Sequence, residues 1–179
     1  MQNLVPPIPP HRQMPVLTLT LGALMTGITA MYLFGKIQEL PCGSDLISSF
    51  ARNFIHVSPV HLLMNMFAFY QFSSIETIVG STQYLILIIS LAVLQTIIEI
   101  ISRNFLDLTC SIGFSGVLYG ILTWTLLSGK QTNSKMIIAV LLSIFSSSAH
   151  DPQLSLAGHL MGVAAGAIAA LVTPSVTPH

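Results

Sequence analysis

The stretch IGFSGVLYG, residues 112–120, sets a serine between two glycines in an otherwise apolar run. Gly116 and Gly120, four residues apart, form the small-xxx-small face that lets helices in a membrane approach to backbone contact. Ser115 lies beside that face, so its hydroxyl is expected to meet another helix rather than lipid. Serine and glycine in such a helix are ordinary packing residues. What Ser115 meets therefore decides whether it packs or reacts.

The rest of the chain fits a membrane setting. Of 179 residues, 53% are hydrophobic and only 7% are charged, against about a quarter charged in soluble domains. Six basic and six acidic residues cancel, so charge offers no case for nucleic acid or an acidic partner. Twelve charges do not make a water-soluble surface, and the fold class read from this is all-α and polytopic. The two cysteines, Cys42 and Cys110, lack metal-like spacing and read as free thiols, pairing only if both face an oxidising lumen. The first apolar segment, MPVLTLTLGALMTGITAMYLFG, is longer than the 7–15 residues of a signal-peptide core and is expected to stay as a helix.

A span needs about 20 mostly apolar residues. Six candidates follow, at 14–35, 59–79, 82–101, 109–128, 135–149 and 152–172, the fifth being the shortest. A short Pro-rich tail (1–13) precedes this membrane domain (14–173), and a second tail (174–179) follows it. No proline falls inside a proposed helix. Ser58-Pro59 and Asp151-Pro152 each offer a cap followed by proline at the first helical position. For the fourth helix, Asp107 or Ser111 can serve as cap. A long connection, 36–57, joins helices one and two. Lysines and arginines split three and three between the two sides, so charge does not orient the bundle.

Alternation makes the three even-numbered helices parallel. Helix two carries His61 and Asn65 near its start, four apart and on one face. Helix four carries Ser115, and helix six carries His159, seven residues after Pro152. At 1.5 Å per residue, Asn65 and His159 lie roughly 10 Å below their helix starts, with Ser115 at similar depth or shallower. Polar groups at that depth need partners or a water-filled cavity. Gly158, Gly162, Gly166 and Ala170 repeat every four residues beside His159. Packing this stripe on Gly116 and Gly120 would bring His159 to Ser115, the arrangement of an activated nucleophile. The Asn65 amide, the His61 imidazole and backbone N–H groups at the start of helix four are candidate donors to an oxyanion. Glu76 and Glu99 are assigned to the opposite leaflet, which leaves a serine–histidine dyad without an acid.

These residues resemble the rhomboid family of intramembrane serine proteases. HVSPVHLLMN matches its His-x4-His-x3-Asn pattern at His56, His61 and Asn65. GFSG matches Gly-x-Ser-Gly at Gly113, Ser115 and Gly116, and Tyr119 fits the tyrosine that packs on the catalytic histidine. GHLMGVAAG matches His-x2-Gly-x3-Gly at His159, Gly162 and Gly166. The resemblance implies a six-transmembrane-helix rhomboid-like bundle with its cavity towards the non-cytoplasmic leaflet of an endomembrane or the plasma membrane. It implies Ser115 as nucleophile, His159 as general base, and an oxyanion hole of His61, Asn65 and the Ser115 backbone N–H. The partner implied is the transmembrane helix of a protein substrate, reached through membrane lipid, with no cofactor. One departure stands out: where many rhomboids carry Trp-Arg in the first loop, this chain has Ile47-Ser48. With no seventh helix and no cytosolic domain, the chain reads as a minimal core.

His61 and Asn65 also suit a polar interhelical clasp, Tyr119 can simply fill space, and His56, outside the helix, suits a structural hydrogen bond. No zinc site is expected, since His56 and His61 are five apart with no cysteine or carboxylate joining them. His150, beside Asp151, reads as solvated, and Glu99 as reaching the headgroups. The alternative to a protease is a catalytically silent relative that binds transmembrane clients. Such relatives generally lack the serine or the histidine.

Overall fold

The computed structural model describes residues 14–37, 45–106, 110–128, 134–135, 137–138 and 152–172. Every regular element among them is a helix: α1 (Val16–Leu33), α2 (Leu46–Arg52), α3 (Pro59–Gln71), α4 (Ser73–Val79), α5 (Ser81–Arg103), α6 (Ser115–Leu127) and α7 (Pro152–Val172). The expected fifth span, 135–149, falls almost wholly outside the described residues. So do Asp107, His150, Asp151 and both tails.

Two helices, α1 and α5, have the length and apolarity to cross a membrane, and α6 and most of α7 are shorter apolar helices. The second expected span is α3 and α4 in succession, interrupted at Phe72, where i→i+3 bonds from Phe72 N–H to Phe69 O and from Ile75 N–H to Phe72 O tighten the turn. α3 starts as its sequence implies: Pro59 occupies the first turn and the Ser58 hydroxyl accepts from His61 N–H at 3.2 Å. α7 starts at Pro152, as expected.

α5 is the central element and touches α1, α2, α4, α6 and α7. Its buried side chains, Tyr84, Leu87, Ile88, Leu91, Ala92, Gln95, Thr96 and Glu99, recur at helical spacing along one stripe. Phe69, Phe72, Phe114, Leu118 and Ile121 pack on that stripe. The opposite faces of these helices carry exposed Ile, Leu, Val and Phe, as a lipid-facing surface requires.

α1 is joined to the rest through polar contacts at both ends. Its N-cap is Pro15, which provides no side-chain acceptor. Glu76 of α4 takes that role, accepting from Leu17 N–H at 2.8 Å, Thr18 N–H at 2.8 Å and the Thr18 hydroxyl at 2.7 Å. The Ser81 hydroxyl completes its partners at 2.7 Å. Two N–H groups that a helix start leaves without intrahelical acceptors are thereby satisfied. At the other end of α1, Thr29 meets His56 just ahead of α3, so α1 runs antiparallel to α3 and α4.

Three expectations are corrected. The connection 36–57 contains a helix, α2, whose N-cap Asp45 accepts from Ile47 N–H at 3.3 Å and Ser48 N–H at 2.9 Å. The fourth span begins at Ser115, not 109, and has no side-chain cap. Residues 110–113 ahead of it are not helical, and Ser111 bonds to Glu99 instead of capping. Gly113 has φ +108°, which ends any helical continuation from the N-terminal side. Finally, Glu99 is buried at the α6 start, not at headgroups of the other leaflet. The reason is direction: α5 runs opposite to α3 and α6, so its C-terminal end lies at their N-terminal ends.

Candidate active site

Ser115 is the first residue of α6, and the backbone N–H groups there lie at the positive end of the helix dipole. Its partner comes from α7. Gly116 and Gly120 of α6 face Gly162 and Gly166 of α7 so closely that a Cβ on Gly162 would collide with the Gly116 carbonyl, and one on Gly166 with the Gly120 carbonyl. With backbones in contact, short side chains reach across. Ser115 Oγ lies 3.1 Å from His159 Nε2, and both residues are buried.

The His159 ring is held on one face by Tyr119, one turn beyond Ser115. Their ring centroids are 4.4 Å apart, with planes 27° from parallel. Tyr119 Oη makes no hydrogen bond among the described residues, so the ring rather than the hydroxyl makes this contact.

α3 supplies the other wall. The His61 ring packs on Gly113, where a Cβ would come within 2.6 Å of its Cε1. That contact explains the glycine two residues before Ser115 twice over, by conformation and by space. Asn65, one turn after His61, is fully buried and donates from Nδ2 to the His61 carbonyl at 2.8 Å. The amide carries a second N–H beyond that bond. His56 is buried behind His61, with rings 5.1 Å apart. Phe114 N–H donates to His56 Nε2 at 3.4 Å, which puts the His56 proton on Nδ1, 3.2 Å from the Thr29 hydroxyl. His56 therefore fastens the residue next to Ser115 to α1.

The structure thus gathers Ser115, His159 and Tyr119 in direct contact, with His61 and His56 beside the turn into α6 and Asn65 one turn below His61. Gly116, Gly162 and Gly166 form the seam.

Several neighbours were not assigned to this site from sequence. Gln95 of α5 is buried with its amide against Gly116, so that a Cβ there would overlap it. Glu99 and Arg52 hold the segment before Ser115. Helix alternation places the end of α5 at this level, and that was the available signal for both Gln95 and Glu99. Cys110 is disulfide-bonded, against the expectation of free thiols. The chain's other cysteine, Cys42, lies outside the described residues. Ile47 and Ser48, at the offset of the expected Trp-Arg pair, lie in the first turn of α2, with Ile47 largely exposed.

The model of the rhomboid domain matches residues 43–175. The chain belongs to the rhomboid family. It is accordingly an integral membrane protein, a polytopic bundle of helices. A protein of Acanthamoeba polyphaga mimivirus that bears a rhomboid name is 27% identical over 154 residues, covering 82% of this chain and 86% of that protein. The rhomboid match begins just ahead of α2 and includes every residue gathered around Ser115 except Thr29 of α1.

Proposed function

We propose that this rhomboid is an intramembrane serine endopeptidase that cleaves transmembrane segments of other membrane proteins. The observation that carries the reading is the 3.1 Å approach of His159 Nε2 to Ser115 Oγ across a glycine seam. Nothing in packing alone requires a histidine and a serine to be buried there together.

In the proposed reaction, Ser115 Oγ attacks the scissile carbonyl carbon while His159 Nε2 takes the hydroxyl proton. Negative charge develops on the carbonyl oxygen. The second Asn65 N–H, the His61 ring and the Ser115 backbone N–H are the donors assigned to it. Collapse breaks the C–N bond, the leaving amine takes the proton from His159, and the acyl chain remains on Ser115. Water, deprotonated by the same imidazole, then releases the new carboxyl end and restores the hydroxyl. Stacking on Tyr119 keeps the imidazole oriented through each of these proton transfers. An extended stretch of substrate is required, because a helical peptide bond is shielded by its own turn. The Cys110 disulfide, five residues before Ser115, supports a site opening towards an oxidising compartment.

The test is cleavage in liposomes of reporter transmembrane segments carrying helix-weakening residues near one membrane face. Cleavage by the wild type that Ser115→Ala and His159→Ala both abolish supports the proposal. A folded wild type that binds such segments without cutting any would favour the client-binding alternative.

A further inference from the structure

The five residues before Ser115 are not helical, and this stretch is fastened from several directions. From α2, Arg52 Nε donates to the Ser111 carbonyl at 3.0 Å and Nη2 to the Cys110 carbonyl at 3.4 Å. The Arg52 carbonyl in turn accepts from Gly113 N–H at 3.0 Å. From α5, Glu99 Oε1 accepts from Ser111 N–H at 3.3 Å, and Glu99 Oε2 accepts from the Ser111 hydroxyl. On the α7 side, Gly158 leaves room for Ser111, whose Cβ would sit 3.0 Å from any Cβ placed there.

Glu99 is 3% exposed. A buried acid in this setting is costly unless partnered, and it invites the role of a third catalytic member orienting His159. Its contacts point elsewhere. Both oxygens engage Ser111, and Oε1 also lies 3.8 Å from Arg103 Nη1 one turn on. Arg52 approaches the same residue from the other side, using its fork on two successive carbonyls as a lysine cannot.

We infer that Glu99 and Arg52 are positioning residues, which clamp Ser111 so that the turn at Gly113 delivers the Ser115 hydroxyl and backbone N–H in register with His159. This rests on the protease reading above. The clamp acts on the reacting geometry and not on the surface that meets the substrate helix. Its loss therefore lowers kcat and leaves KM unchanged, since small misplacements of reacting groups cost large factors in rate.

The experiment compares the full-length protein with Ser111→Ala, Glu99→Gln, the double variant, and Arg52→Lys in liposomes. Cleavage kcat, KM and the pH profile are measured, with active sites counted by a fluorophosphonate probe. Per active site, Ser111→Ala and Glu99→Gln are each expected to lower kcat about tenfold at constant KM. The double variant is expected to be no slower than the slower single one, because both changes break one contact. The pH profile is expected to keep its shape, and Arg52→Lys to fall in kcat alone. Unaltered kcat in Ser111→Ala, additive losses in the double variant, or a shifted pH profile in Glu99→Gln would each overturn the inference. The last would make Glu99 a partner of His159 instead. If Glu99→Gln fails to fold, Ser111→Ala decides alone. A wild type that neither cleaves nor labels sinks the protease reading and this inference with it, whereas active but indifferent variants sink only the inference.

Discussion

The two sides of the bundle are joined by opposite means. α6 meets α7 through bare backbone, glycine against glycine, with Ser115 and His159 as the polar pair identified on that seam. α1 meets α3 and α4 through hydrogen bonds, three of them running from Leu17 and Thr18 to Glu76 and one linking Thr29 to His56. Inside a membrane there is little hydrophobic drive to bring helices together, so shape or hydrogen bonding must do it. The seam uses shape, and shape holds Ser115 Oγ and His159 Nε2 at a set distance. The α1 joint uses hydrogen bonds to anchor a helix that buries only Thr18, Met25 and Thr29. Precision is concentrated where chemistry is proposed, and anchoring where it is not.

The most damaging change to this contrast is Gly162→Val. The new side chain meets the Gly116 backbone, which no rotamer change relieves, so a stability loss of about 3 kcal/mol and loss of fluorophosphonate labelling are expected. Thermal unfolding in detergent beside labelling would check both. Retained stability and labelling would mean that α6 and α7 are not in backbone contact.

Glu76→Gln probes the other joint. An amide offers one acceptor oxygen in place of two, leaving buried donors on α1 unsatisfied at about 1–3 kcal/mol. Lower thermal stability with near-normal activity per folded molecule is the expected result. A specific loss of activity would show that the α1 joint also governs the site.

Tyr119 sharpens the comparison further. Tyr119→Phe keeps the stacked ring and removes a hydroxyl with no hydrogen bond among the described residues, so activity and stability should stay near wild type. Tyr119→Ala should slow cleavage by releasing the imidazole. Equal losses in both would mean that the hydroxyl, not the ring, carries the role.

The smallest effect is expected at α2. Hydrogen bonds from Ser48, then Ile47, hold the Asp45 carboxyl below its ordinary pKa. A depressed folded-state pKa contributes stability above the unfolded value, and that contribution is lost as pH falls through the folded one. Ile47 and Ser48 amides should therefore exchange faster with solvent below the usual carboxylate range, after correction for intrinsic exchange. In Asp45→Asn that dependence should disappear.

Much of this was legible in the residues. Ser58-Pro59 marks the α3 start, and the glycines at 116, 120, 162 and 166 announce the seam that brings Ser115 to His159. Polar residues stand out against an apolar background, and helical spacing places them on faces. What was missed depends on contacts between distant segments. The α6 start was set too early because LTCSIGF is apolar enough to prolong the run. Its true boundary is enforced by Gly113 and by bonds to Arg52 and Glu99. Glu99 was put in the wrong leaflet because its helix direction was not carried through to its C-terminal end. α2 had a local signal, Asp45 ahead of Leu46, Ile47 and Phe50, within a stretch treated as loop.

The most direct test of the central claim is fluorophosphonate labelling of the purified, lipid-supplemented protein, with the adduct mapped by mass spectrometry. An activated Ser115 predicts a single adduct at that residue, absent from Ser115→Ala and lost or strongly slowed in His159→Ala. Labelling that survives Ser115→Ala, or that proceeds at the wild-type rate in His159→Ala, would contradict it.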